Sequence, residues 1–355
     1  MTPDEKIMLG CIALAKRGAG YVSPNPLVGC IIINDGIIIG EGYHQKYGEP
    51  HAEANAIEDA KKKGFSPQGA KLYVNLEPCS HFGKRPPCSD LVIQEKISEV
   101  CIGMQDPYKE VNGAGIKKLL DAGIKVTTGI LEEECKELNK FFIKYVTEER
   151  PYVTLKIAQS IDGVIALNNG KSKYITNQES RKYVHQLRSE YDAVLIGRNT
   201  AKYDNPDLTV RETEGRNPIR IVIDKNLKLS KDLKLFSDGN KDRTYIISNE
   251  KDYSGNVIRI KNRITVKKIL AKLYEQKINS VLIEGGANLF SQFIQDDLFD
   301  DIYFFIAPKI LGSGLHSFND FKIKNLDKAK DLNFEFQKNL DNDILLYYKK
   351  QCLQE

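Results

Sequence analysis

Apolar residues recur at helical spacing near the start of the chain, at Ile7, Met8, Cys11, Ile12, Leu14 and Ala15, and predict an opening helix. Apolar runs over 28–33 and 37–41 flank Asn34-Asp35-Gly36, residue types that a tight turn favours, so the two runs predict a hairpin. Strands and helices then alternate. A helix is expected over 51–63, a strand over 71–76, a loop rich in Pro, Gly and Cys, and a helix from 88. A strand over 99–103, a helix over 113–122, a strand over 124–128 and a polar amphipathic helix over 131–145 complete the pattern. Such alternation predicts an α/β sandwich around a mostly parallel sheet.

The segment from Thr147 to Pro151 is charged, ends in proline and precedes a fresh apolar run, which marks a boundary between domains over 1–147 and 151–355. Beyond it, strands are expected over 152–158, 193–196, 219–224, 244–248, 280–283, 301–307 and 344–349. Helices are expected between them near 177–189, 266–276 and 287–295, which makes a second α/β unit.

The 355 residues are enough for two domains, and 41% apolar with 28% charged residues is the balance of a folded chain rather than a disordered one. Fifty-two basic against 48 acidic residues leave a net charge of +4, too little over this length to mark a nucleic-acid surface. The run Lys61-Lys62-Lys63 fits the C-terminal turn of a helix, where cations are favoured. No apolar run approaches the ~20 residues of a spanning helix, and the acidic start Thr2-Pro3-Asp4-Glu5 is not a secretion signal. Seven cysteines without framework spacing then favour thiols and metal ligands in a cytoplasmic protein.

The strongest chemical signal is His51-Ala52-Glu53, followed by Pro78-Cys79 and Pro87-Cys88. One His and two Cys suit tetrahedral zinc with a fourth position open for water. His51 would open a helix, Cys79 would follow a strand, and Cys88 would open the next helix, where the dipole favours a thiolate. Zinc there would generate a nucleophile from water at neutral pH, and Glu53, two residues past the first ligand, could shuttle protons without binding the metal. The order His-x-Glu then Pro-Cys…Cys is that of zinc deaminases, with an eight-residue gap between the cysteines in place of two. In the second half, Glu284-Gly285-Gly286-Ala287-Asn288-Leu289-Phe290 directly follows an apolar strand, a turn that lets a phosphate approach a helix N-terminus. A Gly-x-Gly-x-x-Gly fingerprint is absent.

With these motifs, the chain resembles the bifunctional riboflavin-biosynthesis deaminase/reductase family over nearly its whole length. The spacing Pro78-Cys79-Ser-His81-x-Gly-Lys84-x-Pro-Pro87-Cys88 is similar to that family's, as are the segments 23–29 and 42–44. So are the segments 155–163, 172–176, 197–211 and 306–312 in the second half. The resemblance implies a cytidine-deaminase-like α/β/α sandwich followed by a dihydrofolate-reductase-like α/β domain. It implies that Asn25, His44, His81 and Lys84 contact the substrate of the first half. It further implies that Ala158, Tyr174, Thr200, Asp204 and the turn Gly286, Ala287, Asn288, Leu289, Phe290, Ser291 and Gln292 line NADPH. Ser172, Arg188, Leu208, Arg211 and Glu284 would hold the phosphoribosylamino substrate, the two arginines offering forked donors to its phosphate. The family usually has Trp where this chain has Tyr174, and the chain has no Trp at all.

The implied reactions are hydrolytic removal of the 2-amino group from 2,5-diamino-6-(5-phosphoribosylamino)pyrimidin-4(3H)-one, then reduction of the ribosyl group with NADPH. The second reaction needs a proton donor and a charge partner, for which Lys156 and Asp204 are the candidates and Glu284 a third. Expected partners are the small phosphoribosyl-pyrimidine substrate and further copies of the chain in a homo-oligomer, with no nucleic acid and no membrane. A nucleic-acid base deaminase would want a basic face with exposed aromatics, and a non-catalytic zinc module would have no use for Glu53.

Overall fold

The first helix begins where the sequence supplies a capping box. In a computed structural model of the chain, Thr2 Oγ1 accepts from the Glu5 N–H at 3.2 Å and Glu5 Oε2 accepts from the Thr2 N–H at 2.7 Å. The structure describes residues 1–80, 86–109, 111–250, 255–319 and 322–351, and its contacts separate the chain into Met1–Glu149 and Arg150–Glu355.

In the first unit, α1 (Pro3–Lys16) is followed by the hairpin β1 (Gly29–Asn34) and β2 (Ile37–Tyr43). Next come α2 (Ala52–Lys62), β3 (Lys71–Leu76), α3 (Cys88–Gln94), β4 (Glu99–Met104), α4 (Ala114–Asp121) and β5 (Lys125–Thr127). The sheet runs in the order β2-β1-β3-β4-β5, with the hairpin antiparallel and β3, β4 and β5 parallel. Met8, Cys11, Ile12 and Ala15 of α1 join its core, the face that their spacing predicted. Gly42 lets α2 lie against β2, because a Cβ there would come within 2.5 Å of the Ala52 carbonyl oxygen.

The single helix expected over 131–145 is two helices, α5 (Glu132–Leu138) and α6 (Lys140–Glu148). Asn139 lies between them with its side chain turned inward, accepting from the Leu27 N–H at 2.8 Å and donating to the Leu27 carbonyl at 3.0 Å. That pair of bonds is worth more to a buried amide than another helical turn.

The second unit opens at Arg150, whose guanidinium forks onto Asp300 with both contacts at 2.8 Å. Its elements begin with β6 (Tyr152–Ser160), β7 (Val164–Ala166), α7 (Gln178–Glu190), β8 (Ala193–Gly197), α8 (Arg198–Asp204) and β9 (Ile219–Ile223). They continue with α9 (Lys234–Ser237), β10 (Thr244–Ser248), β11 (Asn256–Arg259), α10 (Val266–Glu275), β12 (Ser280–Ile283) and α11 (Ala287–Gln295). The last strands are β13 (Asp301–Ala307), β14 (Leu315–His316), β15 (Leu332–Leu340) and β16 (Asp343–Lys350). One sheet takes the order β11-β10-β9-β8-β12-β6-β13-β16-β15, parallel from β11 through β13, and β14 pairs separately with β7.

The parallel strands are the continuous apolar runs of the sequence, buried on both faces. Four strands were not expected: β7, β11, β14 and β15. The last of these carries Leu332, Phe334 and Phe336 in alternation, but it forms the sheet's edge and most of it is exposed, so no buried face reinforces the pattern. The helices α8 and α9 were also not expected, since each buries one residue, Ala201 and Leu235 respectively, and shows no apolar stripe. Among the described residues no helix is long and apolar enough to cross a membrane.

Candidate active sites

Two helix starts and the loop after β3 converge in the first unit. His51 is the N-cap residue of α2 with extended backbone, and its ring makes no capping bond. It lies instead with Nδ1 3.6 Å from Cys79 Sγ and 3.4 Å from Cys88 Sγ. The donor atoms of the three residues lie within 4.8 Å of one another, and no other cluster of this kind occurs among the described residues. The nearby Cys88 thiol and the His51 ring lower the Cys79 pKa to about 4, which suits a thiolate ligand. One imidazole and two sulfurs at this spacing are a zinc donor set with room for a fourth ligand.

Glu53 is 3% exposed in the first turn of α2, outside the donor cluster, and burial together with the Cys79 charge lifts its pKa to about 7. Beside it, the buried His44 ring meets His51 edge-on at 5.3 Å. Burial lowers the His44 pKa, so the ring is neutral, donating from Nδ1 to the Pro50 carbonyl and accepting at Nε2 from Asn25 Nδ2, each at 3.1 Å. Thus Asn25, His44 and His51 form one contiguous wall; His81 and Lys84 lie outside the described residues.

Two groups that the sequence reading passed over hold this wall. Asn75 accepts from the Gly29 N–H and donates to the Leu27 carbonyl, fixing the segment that carries Asn25 together with Asn139. Glu77, buried just before Pro78-Cys79, accepts backbone N–H bonds from Asp106, Gly113, Gly115 and Ile116 at 2.9–3.1 Å. It ties the Cys79 loop to the start of α4. Its position beside the Pro-Cys pair was the only trace in the sequence.

In the second unit a cavity of about 1350 Å³ runs across the carboxyl ends of the parallel strands. Every expected cofactor and substrate residue of this half lines it except Ser291, which is buried and accepts from the Asn319 N–H. Glu284 anchors one wall through a forked pair with Arg188, Nε to Oε1 at 2.6 Å and Nη2 to Oε2 at 2.8 Å. Although burial opposes it, the Arg188 guanidinium holds the Glu284 carboxyl below its usual pKa. Lys156 Nζ stands 4.0 Å from Glu284 Oε2, and burial lowers its pKa while Glu284 and Asp204 pull the other way. Ser172 Oγ donates to Asp204 Oδ1 at 2.6 Å, and Tyr174 lies under the Arg181 guanidinium at 4.4 Å.

Arg211 is half exposed, donates to Thr209 Oγ1 at 2.7 Å, pairs with Asp207 at 3.4 Å and lines the cavity. Its backbone N–H donates to Nδ1 of His185 at 3.1 Å. Burial and the charges of Arg188 and Arg211 push the His185 pKa down to about 4, so the neutral ring can accept that bond. His185 lines the cavity and was not anticipated, although it precedes Arg188 by three residues on the same face of α7. At the remaining wall, Gly286 adopts φ +64° and caps α11, whose first turn faces the cavity.

Comparisons with known proteins agree with this picture. Residues 1–104 match the cytidine and deoxycytidylate deaminase zinc-binding region, and residues 151–346 match the RibD C-terminal domain. The riboflavin biosynthesis protein RibD of Aquifex aeolicus is 41% identical, covering 98% of each chain, and that of Escherichia coli is 36% identical over 97% of this chain and 98% of its own. A crystal structure from Thermotoga maritima, described as a diaminohydroxyphosphoribosylaminopyrimidine deaminase/5-amino-6-(5-phosphoribosylamino)uracil reductase, superposes with a TM-score of 0.91 at 41% identity, covering 98% of this chain and 99% of that one. The RibD structure from Acinetobacter baumannii gives 0.90 at 33% identity over 98% and 99%. The chain therefore belongs to the RibD family and is a bifunctional deaminase and reductase of riboflavin biosynthesis, dependent on zinc and on NADPH.

Proposed function

We propose that the first unit hydrolyses the 2-amino group of 2,5-diamino-6-(5-phosphoribosylamino)pyrimidin-4(3H)-one and that the second reduces the ribosyl group of the product to ribityl. The observation that carries this reading is the placement of two separate chemical sites, one per unit: the His51–Cys79–Cys88 triad beside Glu53, and the cavity holding Lys156, Glu284 and Arg188. Zinc, when bound, lowers the pKa of a water molecule toward neutrality. His51, Cys79 and Cys88 would hold it. Glu53 would accept a proton from a water held there and pass protons to the pyrimidine and to the departing ammonia. Asn25 and His44, fixed by each other and by Pro50, bind the pyrimidine edge, with His81 and Lys84 assigned to the same substrate by resemblance.

In the second unit NADPH supplies two reducing equivalents when bound. Ala158, Tyr174, Thr200 and Asp204 would hold its nicotinamide half, and Gly286 to Phe290 with Gln292, at the start of α11, would hold its pyrophosphate. Arg211 binds the substrate phosphate, with Leu208 and Ser172 beside it, while Arg188 serves chiefly to orient Glu284. Lys156 donates the proton that lets the ring oxygen leave C1 of the ribosyl group, and Glu284 and Asp204 stabilise the positive charge that develops there. We place these reactions in the cytoplasm, which suits the six described cysteines being free thiols. We also read the chain as a homo-oligomer, supported by exposed Phe334 and Phe336 on the edge strand β15; sedimentation as a monomer at micromolar concentration would refute that.

The test is direct. With the diaminopyrimidinone phosphoriboside alone, the chain should release one ammonia per substrate and stop at the deaminated uracil. With NADPH added, the product should gain the mass of two hydrogens. Reduction without release of ammonia, or neither reaction, would refute the assignment. A second expectation concerns the metal: the native chain should carry about one zinc, and Cys79→Ser with Cys88→Ser should reduce that below about a tenth, since one imidazole alone is a poor zinc site. Elemental analysis showing full occupancy in the double variant would displace the proposed ligands.

A further inference from the structure

The far end of the reductase cavity is lined by three cations, Arg198, Lys225 and Arg263. They stand at the end of β8, just after β9, and on the connection from β11 to α10. All three are exposed, and none has an ion-pair partner among the described residues. Arg150, Arg188, Arg216 and Arg220 of the same unit, by contrast, are paired with Asp300, Glu284, Asp192 and Asp238.

Their backbones are held. The Lys225 carbonyl accepts from Ser248 Oγ at 2.9 Å and from the Asn249 N–H at 3.1 Å, and Asn249 Nδ2 in turn donates to the carbonyls of Ile260 and Asn262. Lys268 Nζ donates to the Arg263 carbonyl at 3.2 Å. The ends of β9, β10 and β11 are thus tied together, and they present unpaired positive charge to one region of the cavity.

The sheet order says which part of a dinucleotide reaches that region. Lys156 and Ala158 lie on β6, the Gly286 turn follows β12, and the strands continue β8, β9, β10, β11. From β6 to β9 is three strand spacings, about 14 Å. A dinucleotide with its nicotinamide at β6 and its pyrophosphate at the start of α11 brings its second ribose to the end of β9. In many dinucleotide sites a carboxylate near the end of a strand reads the 2′-hydroxyl of that ribose, and it would repel a phosphate there. Here the carboxylate at that place, Asp224, is buried, accepts from the Leu229 N–H at 2.7 Å and does not line the cavity; its neighbour Lys225 does.

We propose that Lys225, Arg263 and Arg198 bind the 2′-phosphate of the cofactor's adenosine and thereby make the reductase select NADPH over NADH. The proposal rests on the placement of NADPH in this cavity given above. A phosphomonoester carries nearly two negative charges at neutral pH, and three cations without carboxylate partners match it.

The experiment measures dissociation constants by titration calorimetry on the full-length chain, for NADPH, NADH, 2′,5′-ADP and 5′-AMP. The native chain should bind NADPH and 2′,5′-ADP more tightly than NADH and 5′-AMP. In Lys225→Ala with Arg263→Ala, NADPH and 2′,5′-ADP should weaken by at least about 30-fold, the scale of lost hydrogen bonds to a charged group, while NADH changes by less than about 3-fold. The exchange Lys225→Arg with Arg263→Lys keeps both charges and should retain most of the preference. An unchanged preference in the alanine variant overturns the proposal. So does an equal loss for NADPH and NADH, which would place the cations at the pyrophosphate. Failure of the native chain to bind NADPH at all would instead overturn the placement of the cofactor, and this proposal with it.

Discussion

Glu53→Gln is expected to leave the chain folded with about one zinc and to slow ammonia release by about 10²- to 10⁴-fold, the contribution typical of a positioned acid–base group. Glu53 is 3% exposed in the first turn of α2 and stands outside the His51–Cys79–Cys88 cluster, so its amide replacement removes no ligand. Gln has the same shape and can hold a water molecule, but it cannot accept that water's proton or hand one to the leaving amine. The loss should appear in kcat, with substrate affinity within a few-fold of normal, because Asn25 and His44 are untouched. Thermal unfolding should shift little, since the substitution removes a buried ionisable group without opening a cavity. Ammonia release near the native rate, with zinc retained, would remove Glu53 from the chemistry.

The second large effect is expected at Lys156. Its side chain is 16% exposed, and its ammonium faces Glu284 across 4.0 Å. Truncation to Ala removes the proposed proton donor but leaves the forked Arg188–Glu284 pair in place. Reduction of the deaminated intermediate should fall at least about 10²-fold at saturating NADPH, while cofactor binding, read directly by titration, changes only a few-fold. Lys156→Arg should not restore the rate, because a guanidinium holds its proton too firmly to give it up. Asp204→Ala should show a smaller loss together with weaker NADPH binding, since Asp204 also fixes Ser172 through the bond at 2.6 Å. If Lys156→Ala instead weakens NADPH binding and keeps full turnover at saturation, Lys156 only positions the cofactor, and Glu284 becomes the candidate donor.

What the sequence made legible follows from how each residue is placed. His51, Cys79 and Cys88 sit at the starts of helices or just past a strand, positions that local sequence patterns define, so both the ligands and their meeting could be anticipated. The reductase residues are spread from Lys156 to Gln292 on a sheet whose strand order local patterns do not reveal, and there only the family resemblance brought them together. Groups that act through distant backbone were not visible at all. Glu77 reads as an ordinary acidic residue until its four N–H partners on and before α4 are in place. His185 reads as one helical histidine until Arg211 packs against it, and Asn139 breaks a helix that its own neighbours favour because Leu27 supplies both of its partners. The edge strand β15 had the right alternation but no buried face to confirm it.

The claim that the chain houses two separate sites acting in sequence is tested most directly by following both products, by mass, from three preparations given the diaminopyrimidinone phosphoriboside and NADPH. Glu53→Gln alone should leave the substrate almost unconverted, and Lys156→Ala alone should release ammonia and accumulate the deaminated, unreduced uracil. An equal mixture of the two should form the ribitylamino product, each variant supplying the step that the other lacks. A mixture that stalls like its components, or a Lys156→Ala preparation that releases no ammonia while folded and zinc-loaded, would contradict the account.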